Sequence, residues 1–389
     1  PLAMACADVA AERLDLLESA VGASAPRPRP WRRVALAASA CGAVLLLGAA
    51  VAWPRRRPVT AADTDGSISR AESPQAHHPR YARVNGTIET LWQRPEGEVK
   101  GLFFAAHGCC HQGPDYFSEI EPDGWKFEAC SKTISGSCLG LPEEVHFRRV
   151  VLARGYVFMS VSGGSGNASC WYFTDLVRVK AAVEFVRKEE RLESLPVFAT
   201  GASSGGALMQ PLAEPESQGG LPNLRCSVPM VSSGDETVRR VPTLFVYMRR
   251  DMETSYGALD KYGDFQVDGI RAGKIEVRPR PLTLAFLGRC LSKDLSEDVI
   301  EALHNADVVD KDGYLRTDAR QRAWVEPVRQ VIAGKSQDTL VPDKSCLSEL
   351  MNVAWAFHEF TGEYAEEMVD FCEGRWNGTL AREAERPPA

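Results

Sequence analysis

From Tyr81 onward, short apolar runs alternate with longer amphipathic ones. "YARVNGTIETLWQ" and "VKGLFFAAHG" read as strands separated by a Pro-Glu-Gly turn, and "GYVFMSVSGG", "LPVFATG", "RCSVPMVSSG", "VPTLFVYMRRD" and "KIEVRPRPLT" as further strands. Between them, Asp175 to Glu193 carries Leu176, Val179, Val183 and Val186 at steps of three and four, the period of a helix with one buried face. A helix opens at about Ser204, and "SEDVIEALHNADVVD" and "EYAEEMVDFCEG" read as two more. Continuous apolar strands separated by helices predict an α/β fold: a mostly parallel central sheet with helices on both faces.

Upstream of Tyr81 the pattern changes. Val34 to Trp53 holds 20 residues without a charge, flanked by Arg32 and Arg33 before and by Arg55, Arg56 and Arg57 after. At about 1.5 Å per residue this stretch spans a bilayer core of about 30 Å. The reading adopted is an uncleaved transmembrane signal anchor; secretion after cleavage at "AVA" (Ala50 to Ala52) is the alternative, although the leader and the core are both long for a signal peptide. The organisation expected is a tail over 1–33, the span over 34–53, a polar linker over 54–80, one domain over 81–376 and a short tail over 377–389.

The chain has 389 residues, 44% of them hydrophobic and 25% charged, which is ordinary for a globular protein. A net charge of −7 supplies no basic footprint, so nucleic acid is not expected as a partner. Flanking arginines barely discriminate the orientation of the span. The sequons do better: Asn85-Gly-Thr, Asn167-Ala-Ser and Asn377-Gly-Thr all follow the span, against roughly 0.65 expected by chance from so few asparagines. Nine of the 11 cysteines also follow it. Both features point to a lumenal or extracellular domain with disulfides, and the short polar loop between Cys130 and Cys138 makes those two a candidate pair.

The stretch "LPVFATGASSGG" carries Gly-x-Ser-x-Gly between Gly201 and Gly205. Alone, such a match arises by chance roughly 0.2 times in a chain of this composition. Its setting gives it meaning: a buried strand, a tight turn holding Ser203, then a helix whose N-terminus favours developing negative charge. Side chains at Gly201 and Gly205 would collide with the neighbouring backbone.

With "AAHGCC" ending an earlier strand and "LFVYMRRD" a later one, the chain resembles the α/β-hydrolase superfamily from about Tyr81 to Arg375. It is most similar to membrane-anchored or secreted plant and algal members of poorly defined activity. The resemblance implies Ser203 as nucleophile and the Ser204 N–H as one oxyanion donor. The other donor would come from the His107-Gly108-Cys109 loop, with Gly108 permitting a sharp turn and Cys109 offering its N–H. Lipase-type loops carry further glycines where this chain has Cys109 and Cys110, so a disulfide is expected to stiffen the loop instead. A metal reading of His107, Cys109, Cys110 and His111 is disfavoured by their spacing, and no metal or organic cofactor is expected.

The order Ser, Asp, His implies Asp251 as the orienting acid, with Asp235 in reserve, and His358 rather than His304 as the base. Thr361 is a candidate N-cap for the last helix, and a helical "LSELMNVAWAFHEF" would constrain His358. The segment over about 285–350 is longer than usual and could form a lid or cap. Together these features predict a membrane-anchored serine hydrolase acting on a small-molecule or lipid-like carboxylic ester. A serine peptidase of the same fold and a non-catalytic binding ectodomain are the alternatives.

Overall fold

Leu102, Phe104 and Ala106 pack into one apolar cluster and Phe103 and Ala105 into another, although all five are neighbours on one strand. The period of two is that of a strand buried on both faces. The computed structural model describes residues 77–163, 169–232 and 241–378. The tail and span over 1–53, most of the linker, Asn167, Asp235 and everything after 378 lie outside the described residues. Among those described, no helix is long and apolar enough to cross a membrane.

Eight strands form one sheet: β1 (Arg80–Val84), β2 (Ile88–Gln93), β3 (Gly101–Ala106), β4 (Tyr156–Val161), β5 (Val197–Ala202), β6 (Leu224–Met230), β7 (Thr243–Met248) and β8 (Ala272–Val277). Their order is β1-β2-β4-β3-β5-β6-β7-β8. The pairs β1–β2 and β2–β4 are antiparallel and all others parallel. The fold is therefore α/β with a mostly parallel sheet. "YARVNGTIETLWQ" is two strands rather than one. Asn85 (φ 51°) and Gly86 (φ 74°) are both left-handed, the signature of a tight Asn-Gly hairpin turn, and the Gly86 N–H donates to Arg83 O at 3.1 Å.

The main helices are α1 (Pro142–Ala153), α2 (Leu176–Glu190), α3 (Ser204–Ala207), α4 (Met252–Val267), α5 (Lys293–Asn305), α6 (Val325–Ile332), α7 (Cys346–Trp355) and α8 (Ala365–Cys372). Val179, Val183 and Val186 of α2 join Leu102 and Phe104 in one core cluster, while Phe147 of α1 and Met368 of α8 join Phe103 in the other. Helices thus cover both faces. The 285–350 segment holds α5 and α6, whose Val299 and Val328 belong to the same cluster as Met248 of β7. The Cys290–Cys346 disulfide closes this segment.

Three more disulfides join Cys109 to Cys170, Cys130 to Cys138 and Cys226 to Cys372. The local Cys130–Cys138 pair is thus present. Residues 77–80, read as linker, dock on the domain: Gln93 Nε2 donates to His77 O at 2.7 Å, and His78 stacks on Trp125. Asn85, at the hairpin tip, and Asn377 are both exposed.

Candidate active site

At the end of β5 the backbone turns so sharply that Ser203 adopts φ 54°, ψ −117°, a conformation that side chains disfavour by about 1–3 kcal/mol. Three glycines permit the turn. A Cβ on Gly201 would lie 2.4 Å from Gly205 O, and one on Gly205 would lie 2.5 Å from both Ala106 O and His107 O. Gly206, which the sequence reading did not use, would meet Met230 O at 2.7 Å. The elbow is wedged against the end of β3 on one side and of β6 on the other.

Asp251 follows β7 and His358 follows α7. The helix stops short of the histidine, because Ala356 takes the left-handed conformation that ends it. His358 itself has φ 42°. The constraint expected from a helical "LSELMNVAWAFHEF" therefore does not apply: His358 sits on a loop. Its Nε2 lies 2.8 Å from Ser203 Oγ and its Nδ1 2.7 Å from Asp251 Oδ2. His304 is exposed on α5, away from this chain of contacts.

Asp251 is buried, and burial alone would raise its carboxyl. Hydrogen bonds from His358 and from Thr254 Oγ1 outweigh burial and hold it below the usual carboxylate range. An ionised Asp251 then fixes the proton of His358 on Nδ1 and leaves Nε2 to accept from the serine.

The loop after β3 closes the other side of the serine. A Cβ on Gly108 would lie 3.8 Å from Ser203 Cβ, an ordinary contact, and Gly108 does not have a positive φ. The expectation that Gly108 is needed for a sharp turn is corrected; Cys110, at φ 68°, is the left-handed residue of the loop. Cys109 is cross-linked to Cys170. Next to it, the Trp171 indole N–H donates to His107 O at 2.9 Å and the Trp171 amide to Ser204 Oγ at 3.3 Å. His107 is buried, with Nδ1 2.6 Å from Gly108 O and Nε2 accepting the Gly163 N–H at 2.8 Å. Burial pushes its pKa down to about 4, so the ring is neutral. His107 and Cys109 are thus engaged as structural groups, which removes the short-spaced metal reading of this loop.

His111 belongs to a different arrangement. It is buried, with Nδ1 3.6 Å from Asp115 Oδ2 and Nε2 3.9 Å from Glu359 Oε1. Burial lowers its pKa, but Asp115, Glu359, Asp343 and Glu144 together push it up to about 10. His111, Asp343 and Glu359 offer ligand atoms within 4.8 Å of one another. A metal ion binding there at neutral pH would first have to displace that proton, at a cost of about 4 kcal/mol for three pH units. The imidazolium already offsets part of the negative charge of these carboxylates.

Groups with no local signal in the sequence seat the loop that carries His358. Glu143 on α1 accepts the Gly362 N–H at 2.7 Å, the Thr361 hydroxyl at 3.3 Å and Arg289 Nη1. Arg320 Nη2 donates to His358 O at 2.8 Å. Thr361 is not the N-cap of α8: that position is Tyr364, and Thr361 Oγ1 accepts the Glu363 N–H within the loop. Nothing local marks these roles, since every partner except Glu363 is distant in sequence.

No protein-family model matches the chain, and no curated protein matches it. Among solved structures, distant likenesses to esterases are found. A thermostable esterase from Pseudomonas putida matches over 51% of this chain and 72% of its own, at 15% identity and a TM-score of 0.36. An esterase from Pyrobaculum calidifontis matches over 52% and 76%, at 14% identity and a TM-score of 0.36. A Butyrivibrio proteoclasticus protein solved with ferulic acid bound matches over 51% and 89%, at 12% identity and a TM-score of 0.34.

Proposed function

We propose that the chain is a serine hydrolase acting on carboxylic esters, with Ser203 as nucleophile, His358 as general base and Asp251 as its orienting acid. The observation that carries this reading is the hydrogen-bonded sequence Ser203 Oγ–His358 Nε2, His358 Nδ1–Asp251 Oδ2, at 2.8 and 2.7 Å. His358 takes the hydroxyl proton as Ser203 attacks the ester carbonyl, and returns it to the departing alcohol. Water then attacks the acyl-serine by the same route, releasing the acid. The Ser204 and Cys109 N–H groups receive the oxyanion.

The segment over about 285–350 acts as a cap in this reading. A non-catalytic ectodomain has no use for a strained serine aligned with a histidine and a buried aspartate, so the aligned set favours an enzyme. Residues 34–53 anchor the chain in the membrane, with the catalytic part on the lumenal or extracellular side; the sequons and the four disulfides support that side.

The test is covalent labelling by a fluorophosphonate probe alongside hydrolysis of a small activated ester. Ser203→Ala is expected to abolish both while the protein stays folded, and Ser204→Ala to retain labelling. Labelling of the Ser203→Ala protein, or its loss only in Ser204→Ala, refutes the assignment.

A further inference from the structure

His358 is held in a backbone conformation that a histidine does not adopt unaided. Its φ of 42° lies in the left-handed region, two residues after Ala356 at φ 57°. That conformation sets the direction in which the ring leaves the main chain, and so its reach to Ser203 Oγ at 2.8 Å and to Asp251 Oδ2 at 2.7 Å. A return to negative φ would swing the ring off this line. Such a residue persists only where its surroundings over-determine it.

The two ends of the loop are fixed by the body of the fold. The Arg250 N–H, one residue before Asp251, donates to Ala356 O at 3.1 Å. At the far end, Glu143 accepts the Gly362 N–H at 2.7 Å. Between them, the His358 carbonyl receives one donor among the described residues, Arg320 Nη2 at 2.8 Å. The same guanidinium lies over the Phe357 ring, 4.7 Å from its centroid, so one side chain holds two successive residues.

Arg320 belongs to the segment over 285–350, and its root is firmly seated. It lies on a single helical turn, Ala319–Gln321, where Asp318 Oδ1 accepts the Arg320 N–H at 2.9 Å. Ala319 is buried, and its carbonyl accepts the Trp324 indole N–H at 2.8 Å. Ala319 and Trp324 both belong to the large core cluster. The side chain of Arg320 is exposed, but it reaches out from a fixed point.

We propose that Arg320 is a positioning residue for the hydrolysis: by holding the His358 carbonyl it keeps the left-handed backbone that aims Nε2 at Ser203. This rests on the hydrolase reading for what His358 does. The segment over 285–350 then does more than cover the site, because the reach of the base depends on that segment staying docked. Misplacing a reacting group by about 1 Å costs about 10²-fold in rate, and the loss of one exposed contact among several should cost less.

The test uses the full chain as Arg320→Met, which keeps an apolar contact with Phe357 but removes the donor, and as Arg320→Lys, which restores one. With 4-nitrophenyl butyrate, kcat in Arg320→Met is expected to fall about tenfold while KM changes by less than about twofold, since His358 serves both acylation and deacylation. The rate of fluorophosphonate labelling should fall with it. The urea unfolding midpoint should stay put, and Arg320→Lys should recover most of kcat. A kcat in Arg320→Met within about twofold of the unmodified protein, or a rise in KM alone, overturns the proposal. A loss in Arg320→Lys as deep as in Arg320→Met overturns it too, as does a loss matched by a fall in the folded fraction. If Arg320→Met does not fold, Arg320→Lys is compared with the shorter Arg320→Gln: a higher kcat in the lysine variant supports the positioning role, and equal values overturn it.

If the unmodified protein neither turns over the ester nor takes the label, the hydrolase reading fails on its own. The hold of Arg320 on the ring is then read from carbethoxylation of His358 by diethyl pyrocarbonate, mapped by peptide mass against the exposed His304. A ring loosened from Ser203 and Asp251 should react at least about threefold faster in Arg320→Met, and an unchanged or slower rate overturns the proposal.

Discussion

Replacing His111 by Gln removes the cation from a buried cluster without much change in volume, and the consequence should depend on pH. The imidazole has an ordinary pKa of 6.5 when the chain is unfolded and is pushed up to about 10 in the folded domain. A raised folded pKa means the stabilising contribution is fully present below the unfolded value and is lost as pH climbs towards the folded one. The full shift of 3.5 pH units corresponds to about 5 kcal/mol at 1.36 kcal/mol per unit. By linkage, most of this remains at about pH 6 and roughly a third of it at about pH 9. Glu144, pushed up to about 7 by burial, is itself held down by the His111 charge; without that charge it rises further, which offsets part of the narrowing between the two proteins as pH rises. Equilibrium urea unfolding without reductant, at about pH 6 and about pH 9, should show the difference between His111→Gln and the unmodified protein narrowing by up to about 3 kcal/mol. A difference that stays constant over this range refutes the buried imidazolium, as does a variant that is fully stable at the lower pH.

The other expectations concern the elbow, the base, the loop and the surface. Asp251→Asn is expected to leave the fold intact and lower kcat by about 10⁴, because His358 loses the partner that sets its tautomer; a loss below about tenfold in an ester assay counts against the relay. Gly205→Ala forces a methyl group against two carbonyl oxygens at 2.5 Å and should cost at least about 3 kcal/mol in unfolding measurements together with fluorophosphonate labelling; normal labelling refutes the elbow geometry. Removing the Cys109–Cys170 cross-link, which spans 61 residues, should cost about 4 kcal/mol on the chain-entropy account and reduce kcat more than KM is raised. Protein made in eukaryotic cells should gain gel mobility on glycosidase treatment, and Asn85→Gln should remove part of that shift; no shift at all places the domain away from the glycosylating compartment.

The sheet and the elbow could be read from the chain because both are local in sequence. A period of two in "GLFFAA" and the glycines around Ser203 state their reasons within a dozen residues. The hairpin at Asn85 was legible too, since Asn-Gly is the strongest short turn signal, but an apolar run on each side disguised two strands as one. Chain order alone left His304 and His358 as the histidines downstream of Asp251, and the structure brings His358 to Ser203 and Asp251. How His358 is presented was not legible, because it depends on Ala356 ending a helix in a left-handed conformation that alanine does not advertise. Glu143, Arg320 and the carboxylates around His111 were invisible for a different reason. Their partners are up to 219 residues away, and a glutamate in the first turn of a helix has an adequate local explanation already.

The sheet does not close on itself, so β1 and β8 each have a strand on one side only. Both are unsuited to receiving a strand from another molecule. Arg80 and Arg83 on β1 are tied to Glu190 and to Lys132 O, and β8 carries the charges of Lys274 and Glu276 along its length. A strand arriving from a neighbouring molecule would have to strip water or partners from those groups before gaining any backbone hydrogen bonds. For a chain tethered to a bilayer as proposed, diffusion is confined to two dimensions and copies meet far more often than at the same number in free solution. Charged sheet margins would let such a surface be densely populated without the copies zipping into fibres.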